Sequence, residues 1–403
     1  MIFGKNRGKE VTMKAAVIGV GNMGSKYAEL LQNKKISGME LAALTRTKEP
    51  YRTKLLPSIE SDVPVFESAD ALFSAVESKS LKLDAVIIAT PHNSHCDLAL
   101  RAFKNGLNVL SDKPSGVYSR QARLMNEAAQ KSGKVFGLIF NQRTLPIHQK
   151  LREIVQSKKY GELKRLNWVV TDWYRPETYY KSASWRATWK TDGGGVLLNQ
   201  CPHNLDLIQW ICGMPKTVQA FCHEGHFHDI EVEDDVTAYF EWNNGATGTF
   251  ITSTGDAPGV NRLEISLEEA MIVCEGGKLK IGTVEKEMGG KEADYRKTAT
   301  DYFKKINGEW TELSIETENA PYEKILQSFS DECAKKGSCI ADGREGLKSL
   351  ILSNAMYLSS WKKQMVTLPK IATQEELLFE KEFEEIFAKK ACKQCRTQLY
   401  FRK

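Results

Sequence analysis

The sequence predicts an α/β protein whose amino-terminal part is a doubly wound parallel sheet. Short apolar strands alternate with helix-compatible segments through roughly the first 150 residues, which is the pattern of βα units. A glycine-rich turn joins the first strand to the first helix. The chain has 403 residues. At roughly 100–200 residues per domain, this length indicates two domains or one large one.

Composition and charge exclude several other classes of protein. Hydrophobic residues make up 41% and charged residues 27%, as in an ordinary globular protein. The formal net charge is +5, but six cations follow the last acidic residue, Glu385, and without them the balance is −1. A basic tail is not the basic face that nucleic acid requires, so we expect no nucleic-acid partner. The tail cations are Lys389, Lys390, Lys393, Arg396, Arg402 and Lys403.

The sequence also gives expectations about location and metals. No apolar run approaches the roughly 18 residues of a membrane span, and residues 1–13 lack the apolar stretch of a signal peptide. We therefore expect a cytoplasmic protein with no membrane partner. The nine cysteines are scattered, as reduced thiols are. Cys392 and Cys395 form a CxxC without a second pair at zinc spacing, so we expect no metal there.

The first strand and its turn carry the strongest motif. Lys14 to Val20 is apolar and β-branched, and it ends in the pattern GxGxxG before a helix-compatible segment. Gly19 permits the tight turn, Gly21 lets the backbone approach a pyrophosphate, and Gly24 lets the helix pack close to the strand. Since Asn22 and Met23 open the helix, its amino terminus is expected to bind the phosphates with them.

The second strand predicts which dinucleotide is bound. It runs from Met39 to Leu44 and ends in Thr45 and Arg46, where NAD-preferring folds usually place an acidic residue for the ribose 2′-hydroxyl. A small hydroxyl residue followed by arginine suits a 2′-phosphate, which favours NADP over NAD. Arg46 could instead stack on adenine and serve either cofactor.

Two further strands lead to polar loops. The strand of residues 84–90 runs into Pro91, and a helix of about 95–105 follows, with Ser94 and Asp97 in the spacing of a capping box. The strand of residues 107–110 leads to Asp112, Lys113 and Pro114. Lys113 therefore follows a strand's carboxyl end, where open α/β sheets build their sites.

Four motifs in order carry a resemblance to a known family. Together they resemble the glucose-fructose oxidoreductase and inositol dehydrogenase (Gfo/Idh/MocA) family over roughly residues 14–370. The motifs are Gly19-x-Gly-x-x-Gly24, Ala89-Thr90-Pro91 with His95, Asp112-Lys113-Pro114, and GGGVLLNQCPHNLD at residues 193–206.

The resemblance implies a domain plan and a chemistry. Residues 1–142 are an NAD(P)-binding Rossmann domain with an extension at 1–13. Residues 143–370 are an α/β domain with a large, mostly antiparallel open sheet for substrate binding and oligomerisation, and residues 371–403 are a helix and basic tail. The chemistry is hydride transfer between the nicotinamide and a hydroxyl-bearing carbon of a sugar, glycoside or cyclitol. A homodimer or homotetramer is implied.

The resemblance also implies catalytic residues. The family's lysine lands on Lys113, with Asp112 in place of the family's glutamate, and its acid/base histidine lands on His203. The aspartate four residues before that histidine in inositol dehydrogenases is replaced by Asn199, which cannot exchange a proton at neutral pH. Proton transfer is therefore expected of His203 with Lys113, since histidine is poised near pH 7. Asn199 is expected to bind substrate, and Asp206 either binds substrate or orients His203.

Other residues complete the predicted site. Cofactor contacts are expected from Thr90, Pro91, His95, Asp112, Lys113 and Arg186. Leu163 to Thr171 is predicted to be a strand, and the aromatic and charged loop after it is a plausible sugar-binding wall. Its candidate members are Asp172, Tyr174, Arg175, Tyr179 and Tyr180.

Three histidines follow at a spacing that could hold a metal. Strand alternation would place His226 and His228 on one face and His223 on the other, so no metal is expected. His228 is a weaker candidate for contact with substrate. Alternating segments around Asn243-Asn-Gly-Ala246 predict a hairpin, and Thr373 with Glu376 predicts the start of a packing helix.

The sequence leaves three functions open. A dehydrogenase is favoured. A redox glycosidase that oxidises, eliminates and re-reduces through tightly held NAD would use the same Lys113 and His203. A non-catalytic sensor with a dinucleotide fold is the third, because fold alone does not dictate function.

Overall fold

The computed structural model describes residues 12–45, 63–284, 300–303, 308–316 and 320–400, with the backbone alone for 393–400. The chain forms two compact units. The first comprises Met1–Gly116, Arg120–Thr144 and Ala320–Leu347. The second comprises Val117–Ser119, Leu145–Asn319 and Lys348–Lys403.

A six-stranded parallel sheet forms the first unit, with strand order β3-β2-β1-β4-β5-β6. The chain reverses direction across the sheet between β1 and β4, and doubly wound folds bind ligands at such a switch point. The strands are β1 Met13–Ile18, β2 Met39–Thr45, β3 Val65–Phe66, β4 Ala85–Ile88, β5 Asn108–Ser111 and β6 Phe136–Leu138. The helices between them are α1 Asn22–Gln32, α2 Ala69–Glu77, α3 His95–Lys104 and α4 Ser119–Ser132.

The central strands of this sheet are apolar because both of their faces are covered. All four residues of β4 are buried, as are five of the six in β1. Parallel strands covered on both faces appear in sequence as continuous apolar runs, which is why these segments could be recognised. The predicted Rossmann sheet is confirmed.

The first unit also takes a later segment of the chain. Helix α8, Pro321–Cys333, contributes Ile325, Leu326 and Phe329 to the same hydrophobic core as β1 and β4. Farther on, the Leu138 N–H donates to the carbonyl of Ala341 at 2.9 Å. The domain plan drawn from the sequence, with its boundary at 142/143, did not assign residues 320–347 to the first unit. Contacts between segments so far apart in the chain leave no local sequence pattern.

A nine-stranded sheet dominates the second unit, in the order β14-β13-β12-β11-β7-β10-β9-β8-β15. β7 and β10 are parallel, and the other neighbouring pairs are antiparallel, so the predicted mostly antiparallel sheet is confirmed. The strands are β7 Leu163–Val170, β8 Thr217–Glu224, β9 Glu233–Glu241, β10 Thr247–Ser253, β11 Asn261–Leu267, β12 Ala270–Glu275, β13 Lys278–Val284, β14 Gly308–Leu313 and β15 Val366–Thr367.

The second unit also contains helices, one of which contacts the edge of the nine-stranded sheet. Ser359 and Ser360 lie in α9, Gly343–Lys362, and their hydroxyls accept the backbone N–H groups of Ala220 and Cys222. These bonds satisfy part of the edge of β8 beyond β15. The remaining helices are α5 Pro146–Gln156, α6 Glu177–Tyr180, α7 Pro202–Cys212 and α10 Gln374–Tyr400. Within the described part of the chain, no helix combines the length and apolar character needed to cross a membrane.

One predicted local motif is wrong. The capping box at Ser94 does not form, because a 3₁₀ turn over His92–Ser94 precedes α3 and no side chain caps the helix. The Ser94 hydroxyl instead lies 2.7 Å from both Thr90 Oγ1 and the carbonyl oxygen of Pro91. The serine thus stabilises the loop after β4.

Candidate active site

The glycine turn lies at the carboxyl end of β1. Gly19 has φ +91°, and a Cβ there would lie 2.6 Å from the Thr90 side chain. A Cβ on Gly24 would lie 2.0 Å from the carbonyl oxygen of Gly19. The turn and the close contact between helix and strand therefore both require glycine, as predicted for these two positions.

Gly21 lacks a side chain for a different reason. A Cβ placed on Gly21 would meet no protein atom within 4 Å, and its backbone is extended. Gly21 is the N-cap of α1, and no side chain caps that helix terminus. Open space beside uncapped N–H groups fits the pyrophosphate of a dinucleotide. Met23 is partly buried and Asn22 is exposed at this helix start.

The end of β2 supports the same turn. The buried hydroxyl of Thr45 accepts the Gly19 N–H at 3.0 Å, so Thr45 orders the glycine turn directly. Arg46, the residue predicted to bind a 2′-phosphate, lies outside the described residues.

His95 links the loops that follow β4 and β5. Its Nε2 lies 2.7 Å from the carbonyl oxygen of Thr90, and its Nδ1 lies 2.9 Å from that of Pro114. Burial, and next the neighbouring His92, lower the pKa of this ring. His95, predicted as a cofactor contact, is 1% exposed and acts here as the support of two site loops.

Asp112 and Lys113 follow β5 directly. One carboxylate oxygen of Asp112 accepts the Lys113 N–H at 2.8 Å, and the other accepts the Tyr27 hydroxyl at 3.0 Å. Desolvation, and then the Asp112 charge, raise the pKa of Tyr27, which keeps its phenol protonated as a donor. The lysine backbone is thus held at the carboxyl edge of the sheet, next to a cis peptide bond to Pro114.

The second unit presents the other set of predicted residues around the triple glycine. A Cβ on Gly195 would lie 1.8 Å from the carbonyl oxygen of Glu233, so only glycine fits there. The buried Glu233 carboxylate accepts the N–H groups of Gly195 and Leu197 and the hydroxyl of Tyr357, at 2.7–3.0 Å. Burial raises the pKa of Glu233 to about 7. Sequence reasoning missed this glutamate, which holds the segment leading to α7.

His203 stands in the first turn of α7, after Pro202 at the helix start, and is half-buried. Asp206, one turn later, is 1% exposed and accepts from Gln209 Nε2 at 3.0 Å. Of the two roles predicted for Asp206, its burial favours a supporting one over direct contact with substrate.

The Tyr179 hydroxyl joins several of the predicted residues. It donates to Asn199 Oδ1 at 3.2 Å and lies 2.9 Å from an Arg186 nitrogen and 3.3 Å from Gln200 Nε2. The Asn199 amide nitrogen also lies 3.3 Å from the buried Asp192 carboxylate. Asp192 was not predicted, and it brings a carboxylate beside the asparagine that replaces the family's aspartate.

The predicted sugar wall is partly exposed. The guanidinium groups of Arg175 and Arg186 lie 5.1 and 4.5 Å from the Tyr179 ring. Asp172 and Tyr174 face solvent within the second unit. This arrangement offers aromatic faces and cationic donors of the kind that bind sugar hydroxyls.

The three histidines differ from expectation. His223 and His226, predicted on opposite faces, come together at Asp235, because β8 ends at Glu224 and His226 lies in the turn beyond it. His228 is buried, with one ring nitrogen on Asp234 and the other on the carbonyl oxygen of Arg175. The alternation argument was wrong because the strand does not continue.

Two family models match this chain. The oxidoreductase family with an NAD-binding Rossmann fold matches residues 13–140, and the GFO/IDH/MocA C-terminal domain matches residues 148–273. An uncharacterized oxidoreductase of Streptococcus pneumoniae is 26% identical over 89% of this chain and 99% of its own length. The D-glucoside 3-dehydrogenase of Escherichia coli is 25% identical over 57% of this chain and 62% of its own.

A solved structure has the same fold. The WlbA dehydrogenase of Bordetella pertussis, in complex with NADH and UDP-GlcNAcA, aligns with a TM-score of 0.72 and 21% identity. The alignment covers 89% of this chain and 99% of that one. At this identity the likeness shows the fold alone.

Proposed function

This chain belongs to the Gfo/Idh/MocA family of oxidoreductases, and from that premise we propose that it is an NAD(P)-dependent dehydrogenase. Its substrate is a sugar, glycoside or cyclitol, and a hydroxyl-bearing carbon of that substrate exchanges hydride with the nicotinamide. The observation that carries the proposal is the placement of Lys113. It directly follows β5 at the carboxyl edge of a Rossmann sheet, in a loop that His95 ties to the loop after β4.

The cofactor is proposed to lie along the glycine turn. Open space at Gly21 and the uncapped start of α1 fit its phosphates. The bound nicotinamide supplies the hydride acceptor in the oxidative direction. NADP is weakly favoured over NAD because Arg46 stands where an acidic residue would otherwise hold the 2′-hydroxyl. Affinities for NADPH and NADH, measured side by side, test this preference.

His203 is proposed as the acid/base group. Alcohol oxidation needs a base to accept the hydroxyl proton, and histidine changes charge near neutral pH. His203 is half-buried in the first turn of α7, and its ring is proposed to contact substrate from there. The ammonium group of Lys113 is proposed to stabilise the alkoxide by its charge and a hydrogen bond.

Substrate hydroxyls are proposed to meet the network around Tyr179. Asn199 and Arg186 both contact the Tyr179 hydroxyl. Arg186 is proposed to contact the cofactor, and the Asn199 amide is proposed to bind a substrate hydroxyl. Such an amide discriminates hydroxyl positions, because a substrate lacking one leaves a buried polar group unpaired. Asp206 is proposed to support α7 without touching substrate.

The test of the function is a substrate panel. Sugars, cyclitols and glycosides are offered to the purified protein with NAD and NADP separately, and absorbance of the reduced nicotinamide is followed. Net reduction with at least one substrate is expected. Glycoside cleavage without net reduction would replace the dehydrogenase by a redox glycosidase, and cofactor binding without either reaction would favour a sensor.

The open face of the nine-stranded sheet is proposed to join copies of the chain. Phe221, Tyr239 and Trp310 are exposed on strands of this sheet, with 57%, 37% and 56% of their surface accessible. Exposed aromatic residues of this kind are enriched in interfaces. Light scattering of the purified protein should give the mass of a dimer or tetramer, and a monomer would contradict this part of the proposal.

A further inference from the structure

Three potential metal-ligating side chains converge outside the predicted catalytic residues. His223 on β8 and Asp235 on β9 are direct cross-strand partners, and His226 lies in the turn that joins these strands. The Nδ1 atoms of both histidines lie 3.0 Å from the same oxygen of Asp235. The three donor atoms all lie within 4.8 Å of one another.

The backbone around this cluster is held in place independently of the cluster itself. The buried Asp234 carboxylate accepts the N–H groups of His226, Phe227 and His228 at 2.8–2.9 Å. It also contacts Nδ1 of His228 at 2.8 Å. Asp234, which is not one of the three side chains of the cluster, therefore holds the backbone of His226 next to His223 and Asp235. This preorganisation lowers the entropy cost of binding an ion with all three side chains.

We propose that His223, His226 and Asp235 bind a zinc ion. Imidazole nitrogen and carboxylate oxygen are ordinary zinc ligands at about 2.0–2.2 Å, and a tetrahedral ion at those distances separates its ligand atoms by about 3.3 Å. The observed separations bracket that value: each histidine Nδ1 lies 3.0 Å from Asp235, and all donor atoms lie within 4.8 Å of one another. Two imidazole ligands argue against magnesium and calcium, which prefer oxygen.

Solvent has access to the fourth coordination position. The side chains of His223 and His226 are 54% and 49% exposed, whereas Asp235 is 20% exposed. Three protein ligands with one open position leave room for water or another small ligand. None of the three ligands is a proposed catalytic residue, so the zinc proposal can be tested independently of the dehydrogenase function.

One ligand of the proposed zinc site, His226, lies in a turn that also contacts the segment of residues 175–180. The turn after β8 also supports the sugar-wall segment: His228 contacts the carbonyl oxygen of Arg175 and the Tyr180 ring, and the Asp229 N–H donates to Glu177. A zinc ion would fasten this turn to β8 and β9. We therefore expect zinc to raise the thermal stability of the protein.

The test uses the 403-residue chain with Cys392→Ser and Cys395→Ser, which removes the CxxC as a competing site. Calorimetric titration with Zn²⁺ should give one ion per chain. His223→Ala, His226→Ala and Asp235→Asn should each weaken binding at least about tenfold, because each removes one of three ligands. His148→Gln removes a histidine from α5 and should bind like the parent. Circular dichroism establishes that each variant is folded.

Two measurements on the unsubstituted ligand set complete the test. With Co²⁺ as the probe, the parent should show visible bands of a nitrogen and oxygen ligand set and lack the near-ultraviolet band of a thiolate ligand. Zn²⁺ should protect His223 and His226, but not His148, from diethylpyrocarbonate as read by mass spectrometry. Folded parent protein that binds no Zn²⁺, or binding unchanged in His223→Ala and His226→Ala, would overturn the proposal.

Discussion

Nδ1 of His95 lies 2.9 Å from the carbonyl oxygen of Pro114, so the first residue of α3 holds the loop that contains Lys113. The other ring nitrogen, Nε2, contacts Thr90 in the loop after β4. The two loops follow neighbouring parallel strands, β4 and β5, and the loop after β4 borders the switch point between β1 and β4. One buried side chain therefore sets the relative position of two loops that are proposed to contact cofactor and substrate.

Replacement of this ring should weaken both stability and activity. His95→Phe keeps an aromatic ring but removes both polar atoms, which leaves a buried carbonyl without its donor at a cost of about 1–3 kcal/mol. We expect urea unfolding to show a loss of this size and kcat to fall. Unchanged stability would mean that the two contacts do not hold the loops. His148→Phe, in α5, serves as the control.

The same residue should contribute to the dependence of stability on pH. Because the pKa of His95 is lowered in the folded protein, the unfolded chain binds its proton more readily. The contribution is fully present above the unfolded pKa of about 6.5 and is lost as pH falls from there through the folded value. Between pH 7.5 and 5.5 the wild type should therefore lose more unfolding free energy than His95→Phe. Equal losses in the two proteins would contradict this.

Two glycines of the same turn should respond differently to alanine. Gly21→Ala meets no protein atom, so we expect stability to change by no more than about 0.5 kcal/mol while the cofactor Kd rises about tenfold or more. Gly24→Ala places a methyl group 2.0 Å from a backbone oxygen and should destabilise the fold itself. Fluorescence titration with NADH and NADPH and urea unfolding separate the effects. Normal cofactor binding by Gly21→Ala would contradict the phosphate site.

The Tyr179 hydroxyl should matter for turnover of substrate. Tyr179→Phe keeps the ring that Arg175 and Arg186 contact but removes the oxygen that joins Arg186 to Asn199. We expect kcat/KM to fall about tenfold, equivalent to about 1.4 kcal/mol. Tyr302→Phe removes the hydroxyl of a side chain that is 95% exposed and is the control. Equal kcat/KM for the two variants would show that the Tyr179 hydroxyl has no role in turnover.

Local patterns were sufficient to predict part of this structure. The glycine turn and the strands β1 and β4 could be recognised because their chemistry lies within a few consecutive residues. Glu233 could not be predicted, because it acts on Gly195 and Leu197 from a distant strand. The contact between Asp192 and Asn199 could not be predicted either, because it depends on the backbone conformation of the glycines between them.

The errors have physical causes of the same kind. Ser94 has the spacing of a capping residue, yet a 3₁₀ turn changes where its hydroxyl points. His226 and His228 were assigned to a continuing strand, whereas Asp234 draws their backbone into a turn. In both cases a local side-chain contact with the backbone outweighed the regular pattern.

The measurement that tests the central claim most directly is the rate of nicotinamide reduction by His203→Ala beside the wild type, on the best substrate of the panel. We expect turnover to fall by about two to four orders of magnitude, the range for loss of a general base. Cofactor affinity, measured by fluorescence on the same samples, should be unchanged. A His203→Ala enzyme that reduces the cofactor at the wild-type rate would contradict the account.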